Sequence, residues 1–435
     1  MILIYTHRLT SRNKYTFKLI FEDILGLEFK ITTNKEDLLA WNGPKITYCR
    51  QAIKDELFFY STELLFETGI VVQEPSTIRW GGSKVFFPVN KTSALPFDPF
   101  AAAFLLVSRY EEYLPHLKDR HGRFTPSQSL AFQHGFLQKP VVNIWAWEIK
   151  AMLEKRFGKI EGKERKYRFT PTIDIDNAWA YRHKGFIRIG GGLLSDLFNL
   201  NFQEFKNRFK SVFHFQSDPY DTYDYQIKLF ERYNLHPIYF ILLGDYATFD
   251  KNVPHQNKHM QSLIKFMGDA GDVGIHPSYA SSENPLKIRK EISRLSHILH
   301  QEIHLSRQHF LKMNIPETYQ RLLEYDITDD YTMGYADLPG FRASICSPYY
   351  FYDLDLEIET PLRIHPFAIM DGTLKDYMNI DPERAMEVIN PLINSVKAVK
   401  GEFISVWHNE SFAENLRWKG WRNIYENHIE AALPS

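Results

Sequence analysis

Two carboxylates stand two residues apart in Thr172-Ile-Asp174-Ile-Asp176-Asn-Ala-Trp179. On a strand such a pair shares a face. Just past the strand end, one carboxylate can bind a metal ion while the other activates water. A close pair also splits its acidities, which leaves one member available as a base. Four further polar clusters follow short apolar runs: His276 after Asp272-Val-Gly-Ile275, Arg307-Gln-His309 after Ile303-His-Leu305, Arg342 after Leu338-Pro-Gly-Phe341, and Trp407-His408 after Phe403-Ile-Ser-Val406. Groups that recur at successive strand ends are delivered to one place, the C-terminal rim of a parallel array.

Each cluster has a role in that chemistry and an ordinary alternative. His276 is a candidate metal ligand, although a lone histidine is more often structural. Arg307 and His309 lie two residues apart and share a face; the guanidinium can hold an aspartate ionised and oriented, and the imidazole can ligate a metal. His408 can protonate a leaving group or hold an oxyanion. Trp407, Arg342 and Tyr279 are candidate substrate contacts, against the alternatives of core packing and a surface ion pair. Thr328-Asp-Asp-Tyr331 reads as a solvated acidic loop. Ile189-Gly-Gly-Gly-Leu193 lacks the lysine of a phosphate loop, and no Gly-x-Ser-x-Gly elbow occurs.

The elements that must position these groups alternate strand and helix from about residue 168 onward. The pattern predicts strands at 168–175, 236–243, 272–276, 303–309, 362–369 and 402–408, with 338–342 a weaker seventh. It predicts helices at 220–233, 256–269, 284–300, 316–325, 381–399 and 419–432, with an insertion at 183–218. Such alternation implies parallel strands joined by right-handed crossovers. Active groups contributed by at least four strands favour a closed barrel over an open sheet. The preceding part, 1–162, shows no regular alternation and reads as a smaller α+β domain. It has strand-like runs at 30–33 and 71–73, a hairpin over 76–88 turning at Gly81-Gly82, a helix over 98–112 capped by Asp98, and a second helix over 142–157. The charged stretch 158–166 reads as a linker to a second domain, 163–435.

Bulk properties narrow the function. A chain of 435 residues with 44% hydrophobic and 24% charged residues is an ordinary globular composition. A net charge of -1 supplies no field that would gather nucleic acid. No apolar run is long enough to span a bilayer. Neither a leader segment nor a Cys-x-x-Cys motif is visible around the two cysteines, Cys49 and Cys346, which points to a reducing, cytoplasmic setting.

On these motifs, residues from about 168 to 410 resemble the polysaccharide deacetylase (NodB-homology, carbohydrate esterase) family. The resemblance implies a distorted (β/α)7-type barrel and a divalent metal, commonly zinc, that serves hydrolysis of N- or O-acetyl groups on an acetylated sugar. It implies Asp174 as catalytic base, Asp176 as metal ligand, Arg307 as the residue positioning the base, and His408 as the acid. The family's second motif has a histidine four residues after the first; His276 matches the first, and Ala280 stands at the second. We therefore expect His309 to complete the set Asp176, His276 and His309. A catalytically silent carbohydrate-binding protein and a magnesium-dependent phosphatase are the rival readings, the latter because Asp-x-Asp also opens aspartyl-phosphate sites.

Overall fold

The computed structural model describes residues 1–89, 92–414 and 416–434. The first half is built on a parallel sheet, not the α+β mixture expected. β1 (Ile2–Thr6), β2 (Phe29–Thr32), β3 (Lys45–Cys49) and β4 (Leu57–Tyr60) align in the order β2-β1-β3-β4, every pair parallel. The pattern hides this because all five residues of β1 are buried. A strand covered on both faces shows no polar alternation. Residues 71–73 form no strand, and Val71 and Val72 are exposed. The hairpin does form, from β5 (Thr77–Trp80) and β6 (Ser83–Phe86); Gly81 and Gly82 both take positive φ, as a two-residue turn requires. Asp98 caps the fully buried helix Pro99–Val107 by accepting from the backbone N–H of Phe100 and Ala101.

The second half carries β7 (Arg168–Ile175), β8 (Ile238–Ile241), β9 (Asp272–Ile275), β10 (Leu305–Ser306), β11 (Asp329–Asp330), β12 (Tyr349–Asp353), β13 (Ile358–Ile364), β14 (Ile369–Met370) and β15 (Glu402–His408). They form one sheet in the order β12-β13-β11-β10-β9-β8-β7-β15-β14, parallel throughout except for β12. β13 runs on into β14. Arg363 and Ile364 in this stretch pair with β11, and Ile369 and Met370 at its end pair with β15. Between them His365 N–H donates to Asp330, Phe367 to Met333 and Ala368 to Ile404. The pairing therefore leaves one side of a single segment and returns to its other side. The strand expected at 338–342 is a turn region, and Asp329–Asp330, read as a loop, is the strand instead. Asp330 is wholly buried and takes hydrogen bonds from Ser306 and Thr332. Those neutral partners are what let a carboxylate sit inside.

The two halves share one hydrophobic core. Arg12 pairs with Glu357, the Tyr15 hydroxyl donates to the carbonyl of Tyr350, and Trp147 Nε1 donates to that of Val399. The expected linker is strapped down: Lys163 N–H donates to Gly26 O at 2.8 Å. A Cβ on Gly26 would stand 2.4 Å from the Lys163 carbonyl, so that approach needs glycine.

Candidate metal centre

The strand ends bring Asp174, Asp176, His276, Arg307, His309 and His408 together. Asp174 lies on β7 opposite His408 on β15, and the next pairs around the sheet set Ile275 beside Ser306. Each chain leaves its strand one residue later, at Asp176, His276 and Arg307. Asp174 and Asp176 face one way because strand side chains alternate.

The distances define a tight cluster. His276 Nε2 lies 3.2 Å from Asp176 Oδ1, and His309 Nε2 lies 3.3 Å from Asp176 Oδ2. One ligand atom from each of these three residues falls within 4.8 Å of the others. Each imidazole is oriented from behind. His276 Nδ1–H donates to the carbonyl of Arg307 at 2.6 Å, and His309 Nδ1–H to Asp250 Oδ1 at 2.9 Å. With Nδ1 donating outward, both Nε2 atoms keep their lone pairs for the centre, the arrangement metal-binding histidines use. His408 follows the same plan: its Nδ1 donates to Asp371 Oδ1 at 2.7 Å, and its Nε2 stands 3.6 Å from Asp176 Oδ2. Asp174 is held separately, with Arg307 Nη1 2.8 Å from Oδ1 and also 2.7 Å from Thr172 Oγ1.

The electrostatics fit a cation. Burial opposes charge on Asp176, but the His309 charge and the close approach of the His276 and His309 imidazoles prevail and hold it well below the usual carboxylate range. Burial likewise opposes charge on His309, yet the Asp176 and Asp250 carboxylates raise it to about 9. Positive charge at this spot is thus favoured, and a bound proton serves where a metal ion would. Among the described residues Asp176 Oδ1 is buried with no hydrogen-bond partner and faces the His276 nitrogen, an acceptor opposite an acceptor. One carboxylate and two imidazoles suit zinc and its neighbours in the first transition row. His408 is raised well above the normal imidazole range, its burial outweighed by Asp371 and then Asp176.

A cavity of about 230 Å³ opens above the cluster. Its wall includes Asp174, Asp176, His276, His309, His408, Phe310, Tyr377 and Trp418. It also includes Arg123, which comes from the first half and donates to the carbonyl of Phe310 at 2.9 Å. Three expected substrate contacts do not line it. Trp407 is 1% exposed and packs on Tyr425, His428 and Trp421, because strand alternation turns it away from its neighbour His408. Arg342 is buried in an ion pair with Glu112, 2.5 Å from Oε2. Tyr279 is only partly buried and packs beside Phe249 and Phe310 behind the wall. Asp250, Asp371 and Arg123 escaped the sequence reading. Asp371 follows β14 and carries the same strand-end signal as the others, but Asp250 and Arg123 lie in loops with no such mark.

Residues 2–158 match a family of unknown function (DUF7033). No curated protein matches the sequence. Among solved structures, a "putative polysaccharide deacetylase" from Mycobacterium smegmatis is 14% identical, with a TM-score of 0.41, covering 62% of this chain and 85% of that one. Puue allantoinase is 11% identical with a TM-score of 0.40, covering 63% and 89%. A family 4 carbohydrate esterase from Streptomyces lividans is 11% identical with a TM-score of 0.29, covering 62% and 93%. Likenesses this slight carry no weight about activity.

Proposed function

We propose that this chain is a metal-dependent hydrolase that removes an N- or O-acetyl group from a sugar, on a seven-position (β/α) barrel in which β13 and β14 together fill one position. The observation that carries the reading is the inward convergence of His276 Nε2, His309 Nε2 and the Asp176 carboxylate, with both Nδ1 atoms engaged behind. A divalent ion on these three residues, zinc by its donor set, would supply Lewis acidity for water and the acetyl carbonyl.

The chain's own groups account for the proton movements. Asp174, fixed by Arg307, is placed to take the proton of the attacking water. Its second oxygen lies 3.9 Å from His276 Nε2, so base and metal ligands border one space. His408, kept protonated by Asp371, is placed to give its proton to the departing amine or alcohol. Tyr377, which is exposed at the cavity wall, offers an aromatic face to an apolar sugar surface. The phosphatase reading loses ground here: no lysine lines the cavity among the described residues, and Asp330 is committed to β11.

The test is metal analysis of protein purified without chelator, combined with acetate release from acetylated chitooligosaccharides. We expect close to one equivalent of transition metal, acetate release, and loss of turnover with retained metal in Asp174→Asn. Protein that takes up no zinc and releases no acetate would refute the proposal.

A further inference from the structure

The insertion between β7 and β8 is built inside out. It consists of two helices, Phe186–Phe198 and Phe202–Val212. The one buried side chain of the first helix is Asp196, and that of the second is Ser211. Polar groups tie the pair together and to its base. Arg208 Nε meets Asp196 Oδ2 at 2.6 Å, and the Tyr181 hydroxyl donates to Glu204 at 2.7 Å. Arg182 donates to the carbonyls of Ser211 and Gln216. The apolar residues face solvent: Phe186 is 96% exposed, Ile187 92%, Phe198 84% and Phe215 73%.

Of the 25 large exposed hydrophobics among the described residues, ten fall between Phe186 and Phe215, a concentration well beyond ordinary scatter. In the first helix the exposed arc Phe186, Ile187, Leu194, Leu197 and Phe198 carries no charge. In the second, Phe202, Phe205 and Phe209 repeat at helical spacing, and exposed Lys206 and Lys210 flank that stripe on one side. Lysines are depleted from protein interfaces but enriched beside the apolar face of helices that lie on membranes. At 13 and 11 residues the helices are too short to cross a bilayer.

We propose that residues 186–215 form a docking element that lies in the surface of a membrane bearing anionic headgroups, its phenylalanines entering the acyl boundary and Lys206 and Lys210 meeting the headgroup charge. The element emerges where β7 delivers Asp174 and Asp176. Arg188 donates to the carbonyls of Lys251 and Asn252, next to Asp250, which orients His309. Docking would therefore hold the open rim of the cavity beside the lipid surface. This inference stands on exposure and charge and does not depend on the proposed reaction.

Flotation of the full chain with vesicles of phosphatidylcholine, with and without phosphatidylglycerol, tests it. We expect binding to the anionic vesicles. F186S/F198S, whose changes touch no core residue, should lower partitioning at least about tenfold with an unchanged circular dichroism spectrum. K206E/K210E should weaken binding to anionic vesicles selectively. Failure to float with either vesicle would overturn the proposal. So would a dimer in sedimentation velocity that F186S/F198S abolishes while vesicles go unbound, since the patch would then serve a second copy. Binding indifferent to K206E/K210E would overturn the anionic preference.

Discussion

His428 offers a measurable penalty. It sits in the helix Trp421–Ala432, is 0% exposed, and is ringed by Phe169, Phe403, Trp407 and Tyr425 with centroids 5.3 to 5.8 Å away. Neither ring nitrogen has a hydrogen-bond partner among the described residues. Burial alone drives its pKa down to about 3, against about 6.5 for an unhindered histidine. Between those values the unfolded chain binds a proton that the folded chain refuses, so stability falls as pH falls. At pH 5 the gap spans about 1.5 units below the unfolded value, which at 1.36 kcal/mol per unit is about 2 kcal/mol; above pH 7 it vanishes. His428→Phe keeps the aromatic packing and cannot titrate. Urea unfolding of both proteins at pH 7.5 and pH 5 should show the variant's advantage growing by about 2 kcal/mol at the lower pH. An advantage equal at both values would refute the reasoning, as would an NMR titration of the folded ring near 6.5.

Other perturbations act on the site and its support. Asp250→Asn removes the carboxylate that orients His309 and should weaken zinc binding roughly 10- to 100-fold in a chelator competition. Asp371→Asn removes the main group that raises His408, so His408 loses its proton at lower pH; the alkaline limb of the rate profile should move toward neutrality. Glu112→Gln leaves Arg109 and Arg342 buried without their shared carboxylate. Chemical denaturation should show a loss of about 3–5 kcal/mol, with Arg342→Met less costly than Glu112→Gln.

Much of the second half was legible in the sequence because parallel strands with helices between them punctuate the chain regularly. β7 and β15 fall at 168–175 and 402–408 as read. Asp176, His276 and His309 could be named because each follows an apolar run. Where a strand is two residues long, as at Asp329–Asp330, the neighbours make it a strand and no local pattern exists. Trp407 and Arg342 misled for a physical reason: a strand end alternates faces, and a lone arginine's partner, here Glu112, lies 230 residues away. In the first half the hairpin, the Asp98-capped helix, the helix ending at Phe157 and the strand near 30–33 were legible, but β1 was not, since a strand buried on both faces lacks the alternation that marks half-exposed ones.

Phe310, next to His309, holds a positive φ of 59°, and Leu311 follows at 52°. For bulky residues that geometry is uphill, and it persists only where surroundings impose it. Part of the imposition is the guanidinium of Arg123, contributed from the opposite half of the polypeptide and clamped in turn by Asp119. The curvature of the backbone behind one imidazole is therefore maintained by a distant stretch of sequence. Replacing the first half with one that lacked this clamp would release the kink beside His309.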